Sequence, residues 1–581
     1  MAAGAGAKDL AAALQRRFRR DLSDFAASPA PVRMVTLSAR APKSFAVEPK
    51  DLHTRDSGRG AAMLAGRVAL AGETLQVGRD EPLWARPLPS KRFAAALHGF
   101  DWLGDLMAVG EEGREAARDL YDQWLDQFGG WNWFAWSPEV SARRLQALTL
   151  AGPALLDDEA PARSKRCYAA AVCAARRVER TLDLIDDDRG RLDAAMALML
   201  ANIAFDLGGK SFTRAGAALG DALKRQLLAD GGHVSRCPEA AAEIFVALAI
   251  IEEAAIRRGV EPSPDIRRAL DRIAPLLGFF QLKDGALPAF HGGGESDRKA
   301  VKAAAKLHDA PKKSFDYAPH SAFHRMEAGA SVAIIDSGGP PKGAHAREAH
   351  ASALAFEFSA AGGRIVVNCG WREDQPEDWR EAVRATAAHS ALTLEETSSA
   401  RLLKPGWRRD LLGPRLAIGP EPVNVRRNEE EMGVWLEATH DGYRKRFGLG
   451  ARRRLFLASD GGDLRGEDGL YRPVEDGPPP DPERRLQFAI RFHLHPDVRA
   501  SLSRDSMSAL LVLPNGDGWR FRTDGGPVRL ERSVYLAGGV QPQRSTQLVV
   551  AGEAEPYGAG DRPPNRVRWA FQRLGRVGAA G

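Results

Sequence analysis

The sequence predicts a helical half followed by an antiparallel β half, on three observations. Apolar residues recur at helical spacing from about residue 90, the period changes to two near residue 315, and beyond that point Gly-, Asp- and Pro-containing turns separate short strands with almost no helix between them. At 581 residues the chain is too long for one core, since single cores stop growing at roughly 250–300 residues. The expected organisation is a lead-in over residues 1–90 packed on the helical half, a helical domain over 90–312, and a β-sandwich over 315–575.

Eight segments carry the helical pattern: 93–109, 113–128, 138–156, 161–185, 190–207, 213–228, 238–258 and 264–280. Short breaks between them imply antiparallel hairpins, and periodicity leaves open a bundle, a solenoid or an α/α toroid. Residues 299–313 are Lys/Ala-rich and read as a linker or an exposed helix. Strands are expected at 331–336, 353–358, 364–368, 391–394, 434–439, 453–457, 486–494, 509–513, 519–522, 528–530, 533–536, 547–550 and 566–571. Asn515-Gly516-Asp517-Gly518 is a good hairpin turn. The lead-in reads as a basic helix, a Pro-rich passage and short strands near 63–77.

A hydrophobic content of 44% and a charged content of 27% are those of an ordinary soluble globular protein. The balance of 82 Lys plus Arg against 76 Asp plus Glu gives +6, which tolerates an anionic partner but lacks the dense basic patch of a nucleic-acid binder. Cys167, Cys173, Cys237 and Cys369 show neither CxxC pairing nor zinc-finger spacing, so buried reduced thiols are expected. No apolar run is long enough to span a bilayer. The start runs into Arg16, Arg17, Arg19 and Arg20 with no apolar signal core, so a cytoplasmic location is expected, or a periplasmic one if the start is misassigned. Phosphate-loop, nucleophile-elbow and HExxH motifs are missing, and Gly292-Gly-Gly294 lacks the strand–helix context of a dinucleotide site.

Three stretches carry a family likeness. They are Asp230-Gly-Gly-His233-Val-Ser-Arg236-Cys-Pro238, then Glu348-Ala-His350-Ala running on through Phe356-Glu357 to Val367-Asn368-Cys-Gly370, and Ala388-His389-Ser-Ala-Leu. In order, spacing and position at the start of a β domain they resemble the heparinase II/III family. This resemblance implies an N-terminal α/α toroid (an incomplete helical barrel), a C-terminal antiparallel β-sandwich, and a cleft between them acting on uronic-acid-containing polysaccharides by β-elimination. That reaction needs a group to neutralise the uronate carboxylate, a base for the proton α to it, and an acid for the leaving oxygen. The sequence departs from the family pattern where Ala240 replaces a Tyr and Glu348 replaces the first His of a His-x-His pair. No toroid residue aligns with the family's carboxylate-neutralising Asn or His, since Asn202 lies inside an apolar run. Some members hold a structural zinc at the positions matching His350, Asn368 and His389, where an amide now replaces the carboxylate and weakens the site. No cofactor is otherwise required.

The candidate catalytic residues are therefore His233, Glu348, His350 and Tyr443, and the candidate substrate-binding residues are Trp131, Asn132, Trp133, Arg236, His291, His345 and Arg384. Each also has a structural reading. His350 and His389 fit hydrogen-bonded core histidines, and Glu348 fits a salt bridge to Arg347 or Arg384. His233 and Arg236 fit a helix cap, Tyr443 a hairpin tip, and the Trp131–Trp136 cluster inter-helix packing rather than a sugar-stacking platform. Two functions stand: a lyase acting on an anionic polysaccharide or oligosaccharide, and a saccharide-binding, envelope-related protein that kept the scaffold and lost the base.

Overall fold

The computed structural model describes residues 7–27, 42–78, 81–309, 315–421, 423–473, 483–539, 541–555 and 565–576. Most of the Pro-rich passage and the end of the 299–313 segment lie outside these residues. The helices are α1 (Ala7–Ala27), α2 (Ser57–Leu64), α3 (Lys91–Gly99), α4 (Leu103–Met107), α5 (Glu111–Phe128), α6 (Pro138–Ala151), α7 (Pro153–Leu156), α8 (Pro161–Thr181), α9 (Asp188–Phe205), α10 (Gly209–Gln226), α11 (Pro238–Arg258), α12 (Pro264–Phe280) and α13 (Arg298–Leu307). Three short ones, α14 (Asp378–Ala382), α15 (Trp407–Leu412) and α16 (Arg444–Phe447), sit among the strands.

Helices α3, α6, α9 and α11 lie side by side as an inner layer, with α8 packed on α6, α10 on α9 and α12 on α11. This is the α/α toroid. Inner position explains the sequence of α9, buried almost continuously from Leu192 to Phe205, because a helix apolar all round is a core helix. Pro at the first turn and Gly259 in the left-handed conformation bound α11. The expected 93–109 helix divides at Phe100 (φ 65°) into α3 and α4, and the 138–156 helix divides at Gly152. The 299–313 stretch is the helix α13 in its first part.

Helix α1 spans the seam between the two halves. Its polar face is held on the toroid by a bidentate pair from Arg20 to Glu139 (2.8 and 2.9 Å) and a pair between Arg177 and Asp24. On the sandwich side Asp9 meets Arg415 at 3.8 Å, and α1 packs against α15. The opposite stripe, Leu14, Phe18, Leu22 and Phe25, is more than half exposed.

The strands are β1 (Arg67–Leu70), β2 (Glu73–Gln76), β3 (Tyr317–Ala318), β4 (Phe323–Ala328), β5 (Ser331–Asp336), β6 (Phe356–Ala360), β7 (Gly363–Val367), β8 (Leu392–Leu394), β9 (Arg401–Leu402), β10 (Leu416–Ile418), β11 (Val423–Glu430), β12 (Gly433–His440), β13 (Gly450–Ala458), β14 (Asp463–Tyr471), β15 (Leu486–Leu494), β16 (Arg499–Leu502), β17 (Ser508–Val512), β18 (Asp517–Thr523), β19 (Val528–Tyr535), β20 (Gln543–Ala554) and β21 (Arg566–Arg576). One sheet has the order β19-β20-β15-β7-β6-β5-β4-β3 with β8 also paired to β15, and the other β11-β12-β13-β14-β21-β18-β17-β16. Their pairings are antiparallel, and the two sheets close an aromatic core in which Phe356 stacks on Trp569 (centroids 5.5 Å, 6°) and Phe492 meets the same indole edge-on. The Asn515-Gly516 turn joins β17 to β18 as expected. Strands β3, β4, β9, β10, β11, β14 and β16 went unread. Val423–Glu430 is polar at most positions, and Gly466 on β14 interrupts the pattern because the Trp569 ring lies where its Cβ would be, 2.1 Å away.

Candidate functional site

The Asp230–Arg236 segment follows α10, and its chemistry runs between the domains. Asp230 accepts hydrogen bonds from the Ser321 amide (2.6 Å) and hydroxyl (2.8 Å) and from the His320 amide (2.9 Å), all on the sandwich side. Gly231 has φ 91°, and a Cβ there would lie 2.1 Å from the Arg272 carbonyl, so only glycine fits. Arg236, at φ 59°, donates to the carbonyls of Ser321 (2.7 Å), Gly339 (2.8 Å) and Ala322 (2.9 Å) and pairs with the fully buried Asp336. The guanidinium expected to grip a substrate carboxylate is thus spent on the protein's own.

From Asp336 a file of imidazoles runs into the sandwich. His291 Nε2 lies 3.1 Å from Asp336 Oδ2, and its Nδ1 accepts the His350 amide at 3.2 Å. His350 Nδ1 and His389 Nε2 are 3.1 Å apart, and His389 Nδ1 donates to the Ala385 carbonyl at 2.8 Å. That last bond fixes His389 Nε2 as the acceptor and His350 Nδ1 as the donor. Ser352 donates to Asp336 at 2.6 Å. Burial opposes ionisation of Asp336, but Arg236, His291 and Ser352 outweigh it and hold the carboxyl well below its usual range. Burial drives the imidazoles the other way: His389 falls to about 4, and His350 and His291 are lowered, His350 strongly. All three are at most 2% exposed. Among the described residues no hydrogen bond from protein reaches His350 Nε2, which leaves it as a neutral acceptor.

The zinc set does not fit a metal. The facing nitrogens of His350 and His389 share a proton rather than converging on a common point. The Asn368 amide oxygen accepts the Ser390 amide (3.1 Å), and its NH2 group donates to the Ala289 carbonyl (3.2 Å) and Glu357 (3.3 Å). No group of three or more His, Cys, Asp or Glu among the described residues is placed to hold a metal ion. Burial also pushes the Glu357 carboxyl up to about 7, against its bonds from the Ala289 and Asn368 amides. All four cysteines are buried, and none is in a disulfide.

The remaining expected residues separate. His233 is 3% exposed, with Nε2 on Gln226 Oε1 (2.9 Å) and Nδ1 on the Ser235 hydroxyl (2.7 Å), so both ring nitrogens are committed. Tyr443, expected to abstract a proton, is corrected to a core residue: it is 1% exposed and donates to the Leu392 carbonyl at 2.8 Å. Burial raises its hydroxyl well above the ordinary phenol range. Arg384 is 2% exposed and donates to the carbonyls of Ala349 (2.9 Å), Ala346 (3.0 Å) and Pro414, so it positions the loop carrying Glu348. Glu348 does form an ion pair, with Arg380 instead of Arg347 or Arg384. His345 is about a third exposed and faces Asp188 of the toroid at 3.8 Å. In the aromatic cluster, Asn132 Oδ1 caps the Phe134 and Ala135 amides (3.0 and 2.8 Å), Arg177 lies 4.9 Å from the Trp131 ring, Trp136 is buried, and Trp133 is 53% exposed.

Side chains at the junction of toroid and sandwich that sequence reasoning missed come largely from the segment 371–380. Arg372 reaches Glu239 (3.3 Å), Glu373 meets Arg143 (2.7 Å), Asp374 meets Arg59 (3.8 Å) and Glu377 meets Arg92 (2.6 Å), lacing the sandwich to the toroid mouth. Glu239 also accepts the Gly294 amide at 2.7 Å, and burial with the neighbouring Glu243 raises its pKa. It adjoins Ala240, where the family Tyr is missing. Asp336 was legible as a carboxylate ending an otherwise apolar strand. Arg380 left no signal, because its partner lies 32 residues away.

A toroid and sandwich closing on this segment pair define a known class, and the comparisons agree. The family model for the C-terminal domain of heparinase II/III-like proteins matches residues 310–570, and the chain belongs to the heparinase II/III-like family. It is 36% identical over 537 residues to FtsZ-localized protein C of Caulobacter vibrioides (strain NA1000 / CB15N), covering 92% of this chain and 91% of that one. Two solved structures share the fold. Heparinase III gives a TM-score of 0.66 at 13% identity, over 99% of this chain and 93% of that one. A mutant of the heparan sulfate lyase HepC from Pedobacter heparinus gives 0.55 at 16% identity, over 94% and 88%.

Proposed function

We propose that this chain is a saccharide-binding protein on a lyase scaffold, holding an anionic glycan between toroid and sandwich without β-elimination. The observation that carries this is the commitment of all the candidate groups but His350 Nε2. His233, His291 and His389 are hydrogen-bonded at both nitrogens, Tyr443 is in the core, Glu348 is paired, and position 240 is alanine. His350 Nε2 alone cannot neutralise a carboxylate, take a proton and return one. The structural likeness to a heparan sulfate lyase supports the ligand class. Incubation with heparin, heparan sulfate, hyaluronan and alginate is expected to give no ultraviolet absorbance from an unsaturated uronate, while affinity electrophoresis in the same polymers retards the protein. Absorbance that grows with time and disappears in His350→Ala would restore the lyase reading.

The relative named for localisation with FtsZ supports the same localisation for this chain, tested by co-sedimentation with FtsZ polymers. The exposed stripe of α1 favours lipid-surface attachment there. Leu14, Phe18, Leu22 and Phe25 lie on one face, with Arg17 and Arg19 alongside, the pattern of an interfacial helix. Burying one such side chain contributes roughly 1.5–3 kcal/mol. Phe18→Glu with Phe25→Glu is therefore expected to lower binding to anionic phosphatidylglycerol vesicles by about a hundredfold in flotation. Equal flotation of variant and wild type would exclude α1 as the anchor.

A further inference from the structure

The outer face of the β11–β16 sheet carries an open aromatic site far in sequence from the cleft residues. Cross-strand register aligns Asn428, Trp435, Phe456, Arg465, Ala570 and Arg522 in one row running across five strand pairings. Trp435 is 44% exposed and leans on Phe456 with ring centroids 4.5 Å apart. Arg465 lies 5.9 Å from the Phe456 ring, with its side chain 60% exposed and tied only locally to Asp463 at 2.7 Å. The adjacent row sets Arg454 and Arg568 against Glu467 at 3.0 and 3.3 Å, so its central carboxylate is satisfied from both sides. The surface is flat, and successive side chains of a row stand about 4.8 Å apart. Aromatic packing alone does not explain an indole left half open beside an amide and exposed guanidiniums.

We propose that this row is a second, non-cleft site for an anionic saccharide chain. The apolar C–H face of a pyranose stacks on Trp435, while Arg465 and Arg522, two and four strands further along the row, meet sulfate or carboxylate groups on units to one side of it through paired N–H donors. Charge complementarity selects the anionic class, because the first row carries two arginines and no carboxylate. An acidic polypeptide fits less well. Peptides add to a sheet at its edge or lie in a groove, and Trp435 sits on the open face of β12, the second strand in.

The test is calorimetry with a heparin-derived dodecasaccharide on the full chain, comparing Trp435→Ala, Arg465→Ser and the cleft variant Arg380→Ala. Two independent sites are expected. Trp435→Ala should weaken one of them about tenfold, Arg465→Ser should weaken the same one, and Arg380→Ala should act only on the other. Both face positions are exposed, and unchanged thermal unfolding verifies the folded variants. If both face variants bind like wild type, the second site is refuted while the cleft reading stands. If only Trp435→Ala and Arg465→Ser matter, the face stands and the cleft reading falls. If polyglutamate displaces the saccharide from the face at equal charge concentration, the surface is a protein-docking one and the proposal is overturned.

Discussion

Replacing Arg236 by alanine is expected to destabilise the protein by about 3–5 kcal/mol, the cost of breaking a buried ion pair from one side. Arg236 is 7% exposed and Asp336 is fully buried. Removing the guanidinium leaves Asp336 with His291, Ser352 and the Gly338 amide as donors, and takes the Arg236 donor from the Ser321 and Gly339 carbonyls, while the Ala322 carbonyl keeps Ser337. Because these groups join the toroid segment to the sandwich, the loss should also change the shape of unfolding. Urea titration followed by tryptophan fluorescence should show one transition in the wild type and two in Arg236→Ala. Arg236→Lys keeps the charge without the planar fork and is expected to fall between them. A cost under about 1 kcal/mol with a single transition would mean that the staple does not couple the domains, against the penalty expected for an unpaired buried charge.

The second large effect is acid sensitivity. Burial lowers His98, His324, His389 and His440 to about 4, His493 to about 3, and His233 and His350 well below the ordinary value. An unfolded imidazole titrates near 6.5. Between that value and about 4 the unfolded chain binds protons that the folded one refuses, so stability is fully present above 6.5 and is lost as pH falls. Each group contributes about 1.4 kcal/mol per pH unit within that window. Five carboxyls among the described residues oppose the trend. Glu357, raised to about 7, Asp101, raised to about 6, and Glu239, Asp105 and Asp193, also raised, keep protons that the unfolded chain releases, so their contribution declines as pH rises toward neutrality. The imidazoles outnumber them. Calorimetric melting is therefore expected to be highest near pH 7 and to fall steeply from 6.5 toward 4.5. A melting temperature flat over that interval would contradict neutral burial of these rings.

The division of the chain was legible wherever local punctuation agreed with packing. Helices α11 and α12 end where Pro238, Gly259 and Pro264 say they should. Strands β11 and β14 were hidden, one by its polar composition and one by a glycine whose reason, the Trp569 ring, lies 103 residues further along the chain. At the site the motifs were legible and their present roles were not. A Gly-Gly-His turn followed by an arginine looks the same whether its guanidinium awaits a uronate or holds Asp336. What decides between them is a partner 100 residues away. Tyr443 was misread for the same reason: the Leu392 carbonyl that receives its hydroxyl lies 51 residues away.

The two kinds of bond crossing the seam have a mechanical consequence. Asp230 and Arg236 fasten the domains in the dry interior, while Arg143–Glu373 and Arg92–Glu377 fasten them at a partly exposed rim. Exposed pairs contribute little and are screened within about 8 Å at physiological ionic strength; the inner pair is shielded from salt. Such a molecule opens like a book, with its spine along the Asp230–Arg236 segment and a clasp at the Arg92 and Arg143 rim. Rising salt is therefore expected to loosen the clasp before the spine, which leaves the interior fastening as the one that persists at high ionic strength.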